Sequence, residues 1–209
     1  MEPFYTTTKN IRYQMKLEYN KKNVEEAFGN FLTSLGYDWK NIEGMKGTPE
    51  RVSRMYLDEI TKGNYIEPPK ITTFVNDGLY DGLIFQGNID VKSLCSHHFM
   101  PFVGKCHIAY IPAPDGRIIG LSKFNRVVEY FARRPQIQEN LTMEIHTYLN
   151  ELTPNNKGIA VMVEANHMCV SMRGVEEEST MMTTKLSGVF LDNKDRSRDE
   201  FIQYVNKLK

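Results

Sequence analysis

Cysteine is scarce in this chain, three residues in 209, and that scarcity excludes a small scaffold held together by disulfides. It favours a reducing compartment, the cytoplasm. Long apolar runs are absent as well. Nothing approaches the ~20 residues needed to span a bilayer, and the amino-terminal stretch lacks the apolar core of a secretory leader. Neither sign of charge is in excess, with 26 basic against 26 acidic residues, so no global field draws the chain to nucleic acid or to a membrane. Internal repeats and low-complexity segments are missing too. What remains is an ordinary globular composition, 41% hydrophobic and 25% charged, in a length sufficient to bury a real core.

Two of the three cysteines lie in short segments rich in histidine, Cys95-Ser96-His97-His98 and His167-Met168-Cys169. Thiolate and imidazole are the side chains that zinc prefers, and Cys95 and His98 have the spacing with which one turn clasps a metal. Cys169 follows His98 by 71 residues, so this is not a finger that closes locally; the fold must bring distant segments together. Cys95, His98 and Cys169 supply three ligands and leave a fourth position for water. Two thiolates neutralise the ion's formal charge, so such water is acidified less than on an all-histidine site and a nearby base becomes useful. His97 and His167 stand beside the ligands as candidates for that proton work. The alternative is a closed structural site with His97, Cys106 or His107 as fourth ligand. Cys106 reads as a small buried hydrophobe, His107 stays unassigned, and His146 is expected on an exposed helix face.

Charge is unevenly placed. From Arg117 to Arg134 there are five basic residues, Arg117, Lys123, Arg126, Arg133 and Arg134, against one acid, Glu129. Following the metal motif, this stretch reads as a phosphate site; a solvated helix face is the alternative.

Periodicity sorts the rest. Residues 1–20 show none and read as an arm. Asn23 is expected to cap a helix with Val24, Phe28, Phe31, Leu32 and Leu35 on one face, ended by Gly36. Thr48-Pro49 opens a second helix with Val52, Met55 and Tyr56 inward, Arg51 and Arg54 on another face, and Gly63 as its stop. Strands are expected over 71–75, 83–91, 102–111 and 117–119. A helix from about Lys123 to Arg134 buries Phe124, Val127, Val128 and Phe131, and the next carries Ile137, Leu141, Ile145, Tyr148 and Leu152 inward. Strands over 158–165 and 170–175 follow, and Ser197-x-x-Glu200 reads as a capping box for a last helix. This order is α+β with a largely antiparallel sheet.

The motifs in sequence resemble the GTP cyclohydrolase I family. The resemblance rests on the run from Cys95-Ser96-His97-His98 to Lys105, on Ala109-Tyr110-Ile111-Pro112, and on Gly120-Leu121-Ser122-Lys123-Phe124-Asn125-Arg126. It continues through Arg133-Arg134-Pro135-Gln136-Ile137-Gln138-Glu139-Asn140, Val163–Cys169 and Met172-Arg173-Gly174-Val175, and covers about seven tenths of the chain in consistent order. It implies the tunnelling fold (T-fold), an antiparallel sheet with two consecutive helices on one face plus N-terminal helices. Residues 1–65 would be an arm and helical region, and 66–209 the catalytic domain. It implies zinc-dependent opening of the guanine imidazole ring of GTP to give 7,8-dihydroneopterin triphosphate and formate, the entry to folate, biopterin or deazaguanine synthesis. It further implies a barrel-shaped homodecamer, an allosteric type of assembly, with sites at subunit junctions and no nucleic-acid or membrane partner.

Carried over residue by residue, the resemblance assigns zinc to Cys95, His98 and Cys169 and the proton transfers to His97 and His167. The triphosphate falls to Ser122, Lys123, Arg126 and Arg173, with Arg51 and Arg54 on a looser match. Gln138 and Glu139 fall to the guanine, where a carboxylate accepting from N–H and amine rejects adenine. Two departures are visible. Ser96 stands where the family more often has glutamate, and the stretch from Glu176 to Thr184 is slightly short and carries Glu176, Glu177 and Glu178 in a row. Two other readings remain open. A nitrile reductase of the same fold would use a nucleophilic cysteine and a nicotinamide cofactor, and the His97-His98 pair speaks against it. A non-catalytic purine- or pterin-binding member would have no need of His97 and His167.

Overall fold

The computed structural model describes residues 17–208, so the expected arm lies outside the described residues as far as residue 16. Contacts divide the chain into one unit up to Glu67 and another from Pro68 onward.

In the first unit, α1 spans Lys21–Ser34. Its cap is Asn20 rather than Asn23: the Asn20 side chain accepts from the Asn23 N–H at 3.3 Å, which is how a capping amide satisfies a first-turn donor. The buried stripe is narrower than the periodicity implied. Leu32 is buried, whereas Phe31 and Leu35 are 54% and 58% exposed. Gly29 makes room for Trp39, whose Nε1 donates to the Gly29 carbonyl at 3.0 Å. Helix α2, Thr48–Arg54, runs on into a wider helical turn over Met55–Ile60 that ends before Gly63.

The second unit carries β1 (Thr73–Val75), β2 (Ile84–Cys95), β3 (Pro101–Ile111) and β4 (Arg117–Ile119), then α3 (Leu121–Ala132), β5 (Pro135–Gln136) and α4 (Gln138–Leu152). It ends with β6 (Gly158–His167), α5 (Met168–Ser171), β7 (Thr180–Leu186), α6 (Val189–Asp192) and α7 (Ser197–Asn206). The main sheet has the order β5-β2-β3-β6-β7, antiparallel except for the β5–β2 pair, and β1 pairs with β4 separately. The C-terminal ends of β2 and β6, the start of β3, the start of β7 and the short β5 all meet at one edge of the structure. Register sets this: Leu94 faces Pro101, Cys95 faces Gln136, Phe102 faces His167 and Asn166 faces Thr180.

Alternation then decides faces, because successive strand residues point to opposite sides. Val91, Ser93 and Cys95 share a face with Phe102, Cys106, Ile108 and Tyr110, and with Ile159, Val161, Val163, Ala165 and His167. That face is covered by α3 and α4, whose stripes Phe124, Val127, Val128, Phe131 and Leu141, Ile145, Leu149 are buried. The other face packs Ala109, Ile111 and Ala160 against Phe190, Phe201 and Val205 of α6 and α7. Strands β3 and β6 approach so closely at Gly104 that a Cβ there would meet the Glu164 carbonyl oxygen and come 2.5 Å from Ala165 Cα.

Three local expectations give way. Residues 170–175 are not a strand: after His167 the chain makes the single turn α5, and the strand that next pairs with β6 is β7, whose threonines suit a pleated edge. The last helix is not opened by a capping box. Asp195 Oδ1 instead accepts from the Ser197 N–H at 3.1 Å and its hydroxyl at 2.7 Å. His146 is buried, because its helix is covered on that side by the sheet, with Nε2 3.0 Å from Ser187 Oγ.

Candidate active site

The loop joining β2 to β3 is a tight turn closed by its own backbone. The Cys95 N–H donates to the Met100 carbonyl and the Phe99 N–H to the Cys95 carbonyl, both at 2.8 Å, with Phe99 at φ +53°. The turn buries Cys95 and leaves His97 and His98 exposed. On the far side of β3, α5 bends the chain immediately after His167 and turns Cys169 back toward that loop. The ligand atoms of Cys95, His98 and Cys169 lie within 4.8 Å of one another. Segments 71 residues apart thus converge as the spacing required.

The donor set fits a soft divalent cation. Burial raises the Cys169 thiol above its ordinary value, and the neighbouring Cys95 sulfur raises it further, against a smaller pull from Arg173. A cation bound beside the Cys169 sulfur would favour its thiolate, which is what zinc does to its sulfur ligands. His97 Nδ1 lies 3.8 Å from Cys95 Sγ, at the edge of the cluster. Arg173 Nη1 lies 3.0 Å from His98 Nε2. A guanidinium only donates, so that nitrogen accepts here.

His167 stands two residues before Cys169, half-buried, at the open rim of the helix-covered face. The Phe102 ring lies parallel to it, centroids 4.6 Å apart and planes 9° apart. Burial holds the imidazole below the usual histidine range, and the charge of Glu139 opposes that shift. Glu139 is exposed in the first turn of α4. The structure departs from expectation at Gln138. It is 1% exposed, and its amide is bonded to protein groups rather than laid open to a substrate. Its partners are two strand carbonyls, a threonine hydroxyl and a histidine 25 to 45 positions away, so no local signal marked it as buried.

The phosphate candidates separate into groups. Arg173 is at the metal cluster. Ser122, Lys123 and Arg126 sit in the first turns of α3, whose position is fixed by a side-chain bond between Asn125 and Gln86 at the opposite end of β2. From Gln86 to Cys95 is nine residues of strand, about 30 Å. One copy of the chain therefore does not bring these residues to its own metal cluster. In the first unit, Arg51 donates to the Lys46 carbonyl and Thr48 Oγ1, both at 2.8 Å, and Arg54 is exposed. His107 is buried on the α7 side, where its Nδ1 accepts from the Asn88 N–H at 3.3 Å and its Nε2 lies 3.5 Å from Glu164. Cys106 is fully buried and its thiol pKa is driven upward, so neither residue joins the cluster.

Among the described residues no helix is long and apolar enough to cross a membrane. The family model described as GTP cyclohydrolase I matches residues 24–206. Curated relatives named GTP cyclohydrolase 1 include one from Flavobacterium johnsoniae, 41% identical over 197 residues, covering 93% of this chain and 84% of the relative. One from a Sulfurihydrogenibium species is 45% identical over 192 residues, covering 91% and 97%, and one from Chlorobium chlorochromatii is 42% identical over 189, covering 88% and 81%. With a two-cysteine, one-histidine cluster at the rim of a sheet backed by two consecutive helices, and with these matches over nearly its whole length, the chain belongs to the GTP cyclohydrolase I family and has its tunnelling fold.

Proposed function

We propose that this chain is a zinc-dependent GTP cyclohydrolase I: it hydrolyses GTP to 7,8-dihydroneopterin triphosphate and formate, the entry to pterin and folate synthesis. The observation that carries the reading is the cluster of Cys95, His98 and Cys169 with His97 and His167 beside it. These three ligands would hold zinc, which when bound supplies a Lewis acid that makes water a nucleophile near neutral pH.

The chain's own residues do the rest. Glu139 accepts from the guanine N–H and exocyclic amine, which orients the base and rejects adenine. His167 handles the proton at N7 while one water adds to C8 and the imidazole ring opens to a formamide; a second water then cleaves that formamide and C8 leaves as formate. His97 assists opening of the ribose before the rearrangement that closes the pterin ring. Arg173 holds phosphate from this copy. Ser122, Lys123 and Arg126 hold it from another, with Arg51 and Arg54 as further candidates. This division is supported by the ~30 Å of β2 between the two groups, and it makes the enzyme a homo-oligomer, a decamer on the family pattern, with each site built across a subunit junction. The three free cysteines suit the cytoplasm, where the two ligands stay reduced.

Zinc-loaded protein given GTP should release formate and yield a fluorescent pterin after oxidation, with both lost to a chelator and restored by zinc. Zinc and GTP bound without turnover would overturn the reading. Mixing inactive Cys169→Ala protein with inactive Lys123→Ala protein under subunit exchange should restore part of the activity. A light-scattering mass of one chain would overturn the shared site.

A further inference from the structure

Gln138 is the first residue of α4, and its side chain is sealed inside the molecule, at 1% exposure. Its side-chain nitrogen lies 3.0 Å from the Val163 carbonyl on β6, 3.0 Å from the Met181 carbonyl on β7, and 3.1 Å from Thr183 Oγ1. Main-chain carbonyls only accept. The amide therefore cannot be turned end for end without setting oxygen against oxygen, and its orientation is fixed by the two strands.

Its oxygen then faces His167, with Oε1 2.8 Å from Nε2. An amide oxygen only accepts, so Nε2 must carry the hydrogen. A neutral imidazole has one N–H, which leaves the lone pair on Nδ1. Phe102, fully buried and stacked on the ring, blocks the flip that would exchange the two nitrogens. Ring plane, ring rotation and hydrogen position are thus set by two buried side chains.

We propose that Gln138 is a positioning residue that locks His167 in its Nε2–H tautomer, so that Nδ1 is the one ring atom that exchanges a proton with the guanine. This rests on the cyclohydrolase reading for the identity of the proton's partner. It replaces the guanine contact that the Gln138-Glu139 pair implied in sequence, and leaves base recognition to Glu139. It also ties catalysis to the seam between α4, β6 and β7, because a shift of that helix moves the hydrogen-bond acceptor of His167.

The test is made on the natural, zinc-loaded protein labelled with ¹⁵N-histidine and sedimented for solid-state NMR, at a pH above the histidine range. His167 is identified as the signal pair lost in His167→Asn. The expected spectrum has a protonated Nε2 and a bare Nδ1; a proton on Nδ1, or two tautomers in exchange, overturns the proposal. In Gln138→Met, of similar volume but with no acceptor, the tautomers should mix and kcat should fall ~10²-fold with KM and zinc content unchanged. A raised KM at unchanged kcat would mark a base-contacting residue instead and overturn it, as would an unchanged kcat. If Gln138→Met does not fold, the spectrum of the natural protein decides alone. Should the natural protein bind GTP without turning it over, the reading of the reaction falls while the tautomer result stands.

Discussion

His146 and His167 both lie along the seam of α4, β6 and β7, and in each the Nε2 atom has one polar partner, Ser187 Oγ at 3.0 Å and Gln138 Oε1 at 2.8 Å. Burial lowers both pKa values. His146 is brought to about 4, with the Lys185 charge adding to burial and a backbone bond at Ile159 opposing them. His167 is lowered with Glu139 opposing. Their surroundings differ on the side away from that partner. His146 faces the interior between helix and sheet. His167 faces the rim, two residues from a thiol that converges with Cys95 and His98. Two histidines held in the same way thus differ in what the fold places on their open side, packed interior for one and the Cys95, His98 and Cys169 cluster for the other.

Substitutions at the two histidines and around them test this contrast. Cys169→Ala should have the largest effect, removing a third of the ligand set: zinc content measured by atomic emission should collapse and formate release should drop by more than ~10³-fold. His167→Ala should keep its zinc yet lose ~10²–10⁴ in kcat, the range of general acid–base catalysis. Near-full turnover with zinc bound would place the proton transfer elsewhere. Glu139→Gln should raise KM for GTP about 10–100-fold, the worth of a charge-assisted hydrogen bond, with a smaller change in kcat.

His146 should act on stability alone. Its folded pKa of about 4 lies below the ordinary value of 6.5, so the folded state resists a proton that the unfolded chain accepts. Its contribution is whole above pH 6.5 and is lost as pH falls toward 4, a cost on the order of 2–3 kcal/mol at the acid end. Denaturant midpoints measured across that window should fall less in His146→Gln than in the natural chain, with turnover near neutral pH the same in both. Equal slopes would mean that the buried ring is not what resists the proton.

How far each feature could be read from sequence follows how local its cause is. In α4, Leu149 completes the buried stripe while the expected Tyr148 and Leu152 are half-buried; the stripe of α3, with Leu141 and Ile145 of α4, was legible because i, i+3, i+4 spacing is a property of one segment. So was the pairing of Cys95 with His98 inside one turn. Asn20 in place of Asn23 is a miss of three residues, since both offer the same capping side chain. The missing strand at 170–175 is a different kind of miss: Val170 and Val175 have strand propensity, but the chain end of β6 is spent on turning Cys169 inward.

Residue types and their spacing are enough to name the chemistry available to this protein: which residues can bind zinc, which can carry a proton, and which helices and strands must bury their apolar faces. Tertiary structure alone decided how that chemistry is deployed. Strand register put Cys95, Phe102 and His167 on one face, the β6–β7 seam set Gln138 against His167, and the run of α3 along β2 carried Lys123 away from the cysteine–histidine cluster of its own chain. The physical reason is common to all three. Hydrogen bonds and stacking act over a few ångströms in space, and no pattern within a segment states which distant segment will stand there.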